Sequence, residues 1–124
     1  MKTGLIILGH GSKAPGATQT LAEVTAMVRD RLKYDRVEYA SLQISEPSLG
    51  AVVEKMAGEG VETIVVMPFL IAAGVHVKTD IPEELSTLGK KHPGLELHLT
   101  GPLGADPRLA EIVVDRVKET ERSL

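Results

Sequence analysis

Four short apolar runs alternate with four helix-like patterns along the chain, and this alternation limits the possible folds more than any other feature. The apolar runs cover residues 3–9, 36–43, 62–70 and 95–100. Helices are predicted over 17–33, from 49 to the glycines at 58 and 60, from about Asp80, and from Asp106–Pro107 onward. Repeated strand–helix units of this kind are typical of an α/β domain built on a parallel sheet.

A capping pattern indicates where the third helix begins. Asp80 is followed three residues later by Glu83, and Pro82 between them is tolerated in a first helical turn. We therefore expect this helix to begin near Asp80, which leaves the segment 69–79 as a loop.

The four runs differ in how continuously apolar they are. Residues 5–8 and 64–67 are apolar throughout, as expected of parallel strands covered on both faces. The run 95–100 alternates, and the run 36–43 includes Glu38 and Gln43, so these two resemble edge strands. With right-handed crossovers the predicted fold is a flavodoxin-like α/β domain, a four-stranded parallel sheet in the order 2-1-3-4 with helices on both faces.

Composition limits the class of protein. The 124 residues are 43% hydrophobic and 25% charged with a net charge of −3, which predicts one globular domain over 1–124 with a frayed tail at about 120–124. No basic block favours nucleic acid or a membrane surface, and no apolar stretch approaches the length of a membrane span. The absence of cysteine excludes thiolate chemistry and is consistent with a reducing cytoplasm.

Two histidines lie where such a fold binds ligands. A 2-1-3-4 sheet has its switch point between strands one and three, beyond their carboxyl ends. His10 directly follows the first strand, and His76 lies in the loop after the third. Neutral imidazoles on neighbouring loops suit a divalent ion such as cobalt, nickel, zinc or iron, although incidental polar loop residues are the alternative interpretation. His92 and His98 are better explained by structural roles.

The loop after the first strand permits other interpretations. Residues 9–14 match the outline of a dinucleotide-binding fingerprint, but Pro15 and Gly16 interrupt the place where its helix should run. No phosphate-binding loop and no serine-hydrolase elbow occur. A phosphohistidine enzyme that uses His10 and a non-catalytic protein that binds or delivers divalent metal both remain open.

Three segments together carry a family resemblance. They are Gly9-His10-Gly11-Ser12, Glu46-Pro47-Ser48-Leu49, and the stretch from Phe69-Leu70 through Gly74-Val75-His76-Val77 to Asp80-Ile81-Pro82. In order and spacing over essentially the whole chain, they resemble the small sirohydrochlorin cobaltochelatases. These are class II chelatases, and their relatives insert nickel or iron.

The resemblance implies ATP-independent insertion of Co²⁺, or of Ni²⁺, into sirohydrochlorin with release of two protons, in the biosynthesis of cobalamin or a related tetrapyrrole. It implies no organic cofactor. By the family pattern His10 is a metal ligand and proton acceptor, and His76 is the second metal ligand. Glu46 and the residues Ile71, Ala72, Ala73, Gly74, Val75 and His76 match positions that contact the tetrapyrrole.

Further roles follow from the chemistry of that substrate. Lys13 and Lys78 are expected to meet its peripheral carboxylates, and Glu46 is a second candidate proton acceptor. Asp80 is interpreted as a helix cap rather than as a carboxylate that orients His76. Relatives with a fused pair of these domains enclose the tetrapyrrole between two halves, so the resemblance implies a homodimer for a chain of 124 residues.

Overall fold

The computed structural model describes residues 1–11, 14, 16–43 and 45–123, with only the backbone of His76. The strands are β1 (Thr3–Gly9), β2 (Arg36–Ser41), β3 (Thr63–Pro68) and β4 (Glu96–Leu99). The helices are α1 (Ala17–Arg31), α2 (Leu49–Gly58), α3 (Val75–Lys91) and α4 (Pro107–Glu121). The predicted alternation of strands and helices is confirmed, although β2, β3 and β4 are each shorter than predicted.

The strands form one parallel sheet in the order β2-β1-β3-β4, which confirms the predicted order. β1 lies between β2 and β3, and Leu5 is in register with Val37 on one side and Val65 on the other. β4 pairs only with β3. Because all four strands run the same way, their carboxyl ends share one edge of the sheet.

Alternate residues of the strands build two separate cores. Ile6 and Leu8 point to the face packed by α2 and α3, where they join buried side chains such as Val53 and Ile81. Leu5 and Ile7 point to the opposite face, where α1 contributes Leu21. Helices therefore lie on both faces of the sheet, as predicted.

The predicted start of the third helix is wrong. α3 begins at Val75, five residues before Asp80, and its N-cap is Gly74, which supplies no capping side chain. The apolar positions Val77, Ile81, Leu85 and Leu88 are all buried against the sheet, and their helical spacing runs through the proposed cap. Burial of this face thus extends the helix past the Asp80–Glu83 pair and places Pro82 inside it.

The last helix begins as predicted but contacts the sheet little. Asp106 is the N-cap of α4, and its carboxylate accepts hydrogen bonds from the backbone N–H and the guanidinium of Arg108. These bonds hold the pKa of Asp106 well below its usual range. All fifteen residues of α4 are described and none is buried. Part of the sheet face beside α1 therefore stays open.

The described helices include none that combines the length and the apolar character needed to cross a membrane. The cytoplasmic location inferred from the lack of cysteine stays a prediction.

Replacement of Glu84 on α3 tests the electrostatics of this packing. Two effects raise the pKa of Glu84: partial burial is the larger, and repulsion from the carboxylate of Asp80 is the smaller. The folded state therefore disfavours the ionised carboxylate, so stability is lost as the pH rises through this pKa and is regained on acidification. Glu84→Gln should raise the free energy of unfolding at pH 7, by less than about 1 kcal/mol because the side chain is still partly solvated.

Urea denaturation at pH 7 and at about pH 4, near the ordinary pKa of a glutamate, measures the effect. The gain should shrink at the lower pH, where the carboxyl is largely neutral in the folded state and about half neutral in the unfolded state. Glu83→Gln, at the exposed neighbouring position, is the matched control. An equal gain at both pH values would contradict the electrostatic explanation.

Candidate functional site

The end of β1 is fixed by hydrogen bonds from both neighbouring connections. The carbonyl of Gly9 accepts from the backbone N–H of Leu42 at 2.9 Å, and that of His10 accepts from Gln43 at 3.1 Å. On the other side, the N–H of Phe69 donates to the carbonyl of Leu8 at 2.7 Å. His10 therefore extends from an anchored backbone while its side chain is exposed to solvent.

Gly11 brings two backbone segments into direct contact beside His10. Its φ is +99°, a conformation that glycine adopts without strain. A Cβ atom at this position would lie 1.7 Å from the carbonyl oxygen of Gln43. Any side chain there would push apart the loops that follow β1 and β2, so this close approach depends on glycine.

A cavity of about 200 Å³ lies between the loop after β1, the start of α1 and the end of β3. His10 and Phe69 line it together with the hydroxyl residues Thr18, Thr20 and Ser41. These three residues were not singled out from the sequence. Ser41 lies inside the predicted second strand and the two threonines open the predicted first helix, so the sequence alone gave no reason to bring them together.

The two predicted metal ligands follow neighbouring strands. β1 and β3 are paired up to Leu8 and Pro68, so the backbones of His10 and His76 lie beyond the same edge of the sheet. His76 was expected in a loop, whereas its backbone lies in the first turn of α3. Among the side chains that the structure describes, which exclude that of His76, no three metal-ligating groups cluster.

The segment between β3 and α3 presents apolar surface at this edge. Ile71 is 69% exposed and Val75 is 84% exposed. Ala72 and Gly74 are also exposed, and Ala73 is half-buried. Small residues next to uncovered apolar side chains allow a flat apolar ligand to approach the backbone closely.

The predicted charged contacts are distributed around the same edge. Glu46 is exposed in the connection between β2 and α2, where Ser48 caps α2 by accepting from the N–H of Ala51 at 3.1 Å. Lys78 is exposed near the start of α3. Lys13 lies outside the described residues. Glu46 and Lys78 thus follow strands on either side of β1.

The candidate site combines a parallel sheet in the order 2-1-3-4 with one histidine after β1 and another after β3. The family model described as CbiX matches residues 4–120. The chain belongs to the CbiX family. Its cores, its strand order and the stretches that carry both histidines all fall within the matched region.

Two similar proteins have names that concern sirohydrochlorin or cobalamin. A sirohydrochlorin cobaltochelatase from Sulfurisphaera tokodaii is 36% identical over 97% of this chain and 95% of its own. A cobalamin biosynthesis CbiX protein from Marinobacter aquaeolei VT8 superposes with a TM-score of 0.82 and 32% identity over 99% of this chain and 98% of its own.

A longer chelatase shares the same fold. The sirohydrochlorin chelatase SirB from Bacillus subtilis subspecies spizizenii, solved in complex with cobalt, superposes with a TM-score of 0.88 and 28% identity. The match covers 96% of this chain and 51% of SirB. The present fold is therefore equivalent to about half of that longer chain.

Substitution of Gly11 tests the backbone contact under the site. Gly11→Ala introduces both an unfavourable positive φ and the overlap with the Gln43 carbonyl. Gly16→Ala is the matched control, because its φ is +89° and no described atom beyond its chain neighbours lies within 4 Å of the added Cβ. The control should lose about 1 kcal/mol from backbone strain, and Gly11→Ala about 2 kcal/mol more.

Urea denaturation of the two variants gives the difference directly. Equal losses would mean that the loops after β1 and β2 separate freely, and that the close approach at Gly11 is not a constraint.

Proposed function

We propose that this chain inserts a divalent metal ion into sirohydrochlorin without ATP and with release of two protons. The observation that carries this proposal is the placement of His10 and His76 after the adjacent strands β1 and β3 in a chain of the CbiX family. The Sulfurisphaera tokodaii relative, which covers nearly the whole chain, is named a sirohydrochlorin cobaltochelatase. The product would enter cobalamin or related tetrapyrrole biosynthesis.

Cobalt is the proposed substrate metal, with nickel as a further candidate. Imidazole nitrogens bind both ions well, and binding affinity alone does not choose between them. Two histidine ligands leave other coordination positions on the ion open. An ion held in this way can lose water, enter the macrocycle and leave the protein. The proposal includes no organic cofactor.

His10 is proposed to serve as a metal ligand and as a proton acceptor. A single imidazole nitrogen cannot bind the ion and a proton together, so the two roles alternate or a water molecule relays the proton. Solvent reaches the exposed His10 side chain, which provides a route for the proton to leave. His76 is the second proposed metal ligand.

The macrocycle is proposed to lie against the segment 71–76. Exposed Ile71 and Val75 offer apolar contacts, and the small residues between them, Ala72, Ala73 and Gly74, allow close approach to the backbone. Glu46 contacts the substrate and is a second proton acceptor. Lys13 and Lys78 attract the peripheral carboxylates of the tetrapyrrole.

A homodimer is proposed as the working form. The carboxyl edge of the sheet is open, and the apolar side chains Ile71 and Val75 are uncovered there. A second copy related by a two-fold axis would enclose the substrate and exclude water from the reacting centre. Light scattering should then give twice the chain mass of 13.3 kDa.

Metal delivery without catalysis and phosphoryl transfer through His10 are not favoured by the comparisons. A delivery protein would bind metal without accelerating its insertion. A phosphohistidine enzyme would become labelled at His10 by a phosphodonor.

Replacement of the two histidines tests the proposed metal ligands. His10→Ala and His76→Ala should each lower the rate of cobalt insertion by at least about 100-fold, because each removes a metal ligand and His10→Ala also removes a proton acceptor. The rate is followed by the absorbance change of sirohydrochlorin on metallation, with the uncatalysed reaction subtracted.

His98→Ala is the matched control, since His98 is exposed on the edge strand β4. Its rate should stay that of the parent chain, and circular dichroism should show that all three variants fold. If the parent chain accelerates insertion of neither cobalt nor nickel, the proposed function is wrong. If the parent chain is active and both histidine variants keep full activity, only the proposed two-histidine metal site is contradicted.

Glu46→Gln tests the acidic residue after β2. The amide keeps the size of the side chain but cannot take a proton, so kcat/KM should fall by about 10-fold or more. A fall in kcat assigns Glu46 to proton transfer, and a rise in KM assigns it to substrate binding. Glu54→Gln, at an exposed position on α2, is the control. An unchanged kcat/KM would exclude both roles.

A further inference from the structure

The hydroxyl of Ser41 is buried but has no hydrogen-bond partner among the residues that the structure describes. Ser41 is only 3% exposed. Its backbone N–H donates to the carbonyl of Pro47 at 2.8 Å, while no described group donates to its side-chain oxygen or accepts from it. Buried hydroxyl groups are normally hydrogen-bonded, because a missing bond costs free energy. A partner from outside the chain would satisfy this one.

The Ser41 side chain points into the cavity beside His10. Along β2, the side chain of Val37 joins the core on the α1 face and that of Ala40 joins the core on the opposite face. By this alternation Ser41 faces α1, which is the side of the cavity that it lines. No side-chain nitrogen or oxygen of the described residues is both fully enclosed and without a partner. The Ser41 oxygen is therefore accessible from the cavity.

The other walls of the cavity combine hydroxyl groups with apolar side chains. Thr18 and Thr20 add two hydroxyls from the start of α1. Leu21, Phe69 and Leu70 supply apolar surface. None of the described lining residues is acidic, and the first turn of α1 carries no acidic residue. Hydroxyl donors without a neighbouring negative charge suit an anionic group, and the apolar walls suit the carbon chain that carries it.

The start of α1 favours negative charge at the same place. The N-terminus of a helix carries a positive partial charge, and its first N–H groups lack partners within the helix. The N-cap of α1 is Gly16, which supplies no capping side chain. This partial charge adds to the hydrogen bond that the buried Ser41 hydroxyl can donate.

We infer that this cavity holds one peripheral carboxylate arm of the tetrapyrrole, with Ser41 and Thr18 donating hydrogen bonds to the carboxylate. The inference rests on the proposed function, because it takes sirohydrochlorin as the substrate. The volume of about 200 Å³ equals that of about seven water molecules in the liquid, so a short carbon chain and its carboxylate fit.

An arm held in the cavity would fix the macrocycle relative to the proposed metal ligand. His10 and Leu70 line the same cavity, and Leu70 directly precedes the segment 71–76 on which the ring is proposed to lie. With the ring on that segment and one arm in the cavity, the ring cannot turn in its own plane. Ser41 thus contributes to binding and orientation of the substrate rather than to proton transfer.

Replacement of Ser41 by valine and by threonine isolates the hydroxyl, because the two side chains have nearly the same shape and only threonine keeps the O–H. Ser41→Val should raise the Kd for metal-free sirohydrochlorin by about 10-fold, the effect of one hydrogen bond to a charged group. Ser41→Thr should stay within about threefold of the parent chain. Ser41→Ala, which adds no atoms to the cavity, should lose as much affinity as Ser41→Val.

Absorbance titration of the tetrapyrrole measures each Kd, and circular dichroism with urea denaturation shows that each variant folds. Ser86→Ala, at an exposed position on α3, is the matched control and should bind like the parent chain.

The fully methyl-esterified tetrapyrrole tests whether the bound group is a carboxylate. It is compared with the free acid in the same detergent. Because the ester carries no negative charge, the parent chain and Ser41→Ala should bind it within about twofold of one another.

Three results would overturn the inference. Equal affinities of the parent chain, Ser41→Ala and Ser41→Val for the free acid would place the arm elsewhere. An equal loss in Ser41→Thr and Ser41→Val would show that the size of the side chain matters and the hydroxyl does not. A loss with the ester as large as with the free acid would show that the group bound at Ser41 is not a carboxylate.

The binding measurements are separate from the test of metal insertion. A parent chain that inserts cobalt while the Ser41 variants bind as tightly as it does would contradict this inference alone. The expected dependence on Ser41 in a chain that inserts no metal would contradict the proposed function alone. Failure of the parent chain to bind sirohydrochlorin would overturn both.

Discussion

The pairing of β1 on both sides is the constraint on which the rest of the structure depends. Its registers with β2 and β3 fix the strand along its whole length. Its side chains supply both cores, with Ile6 fully buried on one face and Leu5 nearly so on the other. The strand has no freedom to shift, because a slip by one residue would exchange the two faces. The position of His10 directly beyond the strand follows from this pairing.

Much of the fold was predictable because burial shows directly in the sequence. The central strands are continuously apolar and the edge strands are not, and this contrast gave the correct strand order. The start of α3 was not predictable from capping signals. Gly74 supplies no capping side chain, whereas Asp80 and Glu83 form a persuasive pattern inside the helix. The burial of Val77, four residues before Ile81, was the stronger evidence.

The candidate site was predictable in location more than in detail. Glycine and histidine after the first strand, together with the predicted switch point, indicated the carboxyl edge of the sheet, and the backbones of His10 and His76 lie beyond that edge. The cavity lined by Thr18 and Ser41 was missed because its walls come from three elements that only the fold brings together. Apolar residues at helical spacing, such as Ile112, Val113 and Val117 of α4, are also visible in the sequence. An amphipathic pattern shows that a helix has an apolar partner without showing which surface that partner is.

The contact between Gly11 and Gln43 has a consequence for how this site tolerates change. Main-chain groups hold the loops after β1 and β2 together beside His10, since the N–H of Gln43 donates to the His10 carbonyl. The side chain of Gln43 is not needed for that bond, so many residues at position 43 would preserve it. At position 11 the added Cβ of any other residue would meet the opposite carbonyl. The two residues of this contact therefore differ in tolerance: position 43 accepts many amino acids, whereas position 11 accepts only glycine.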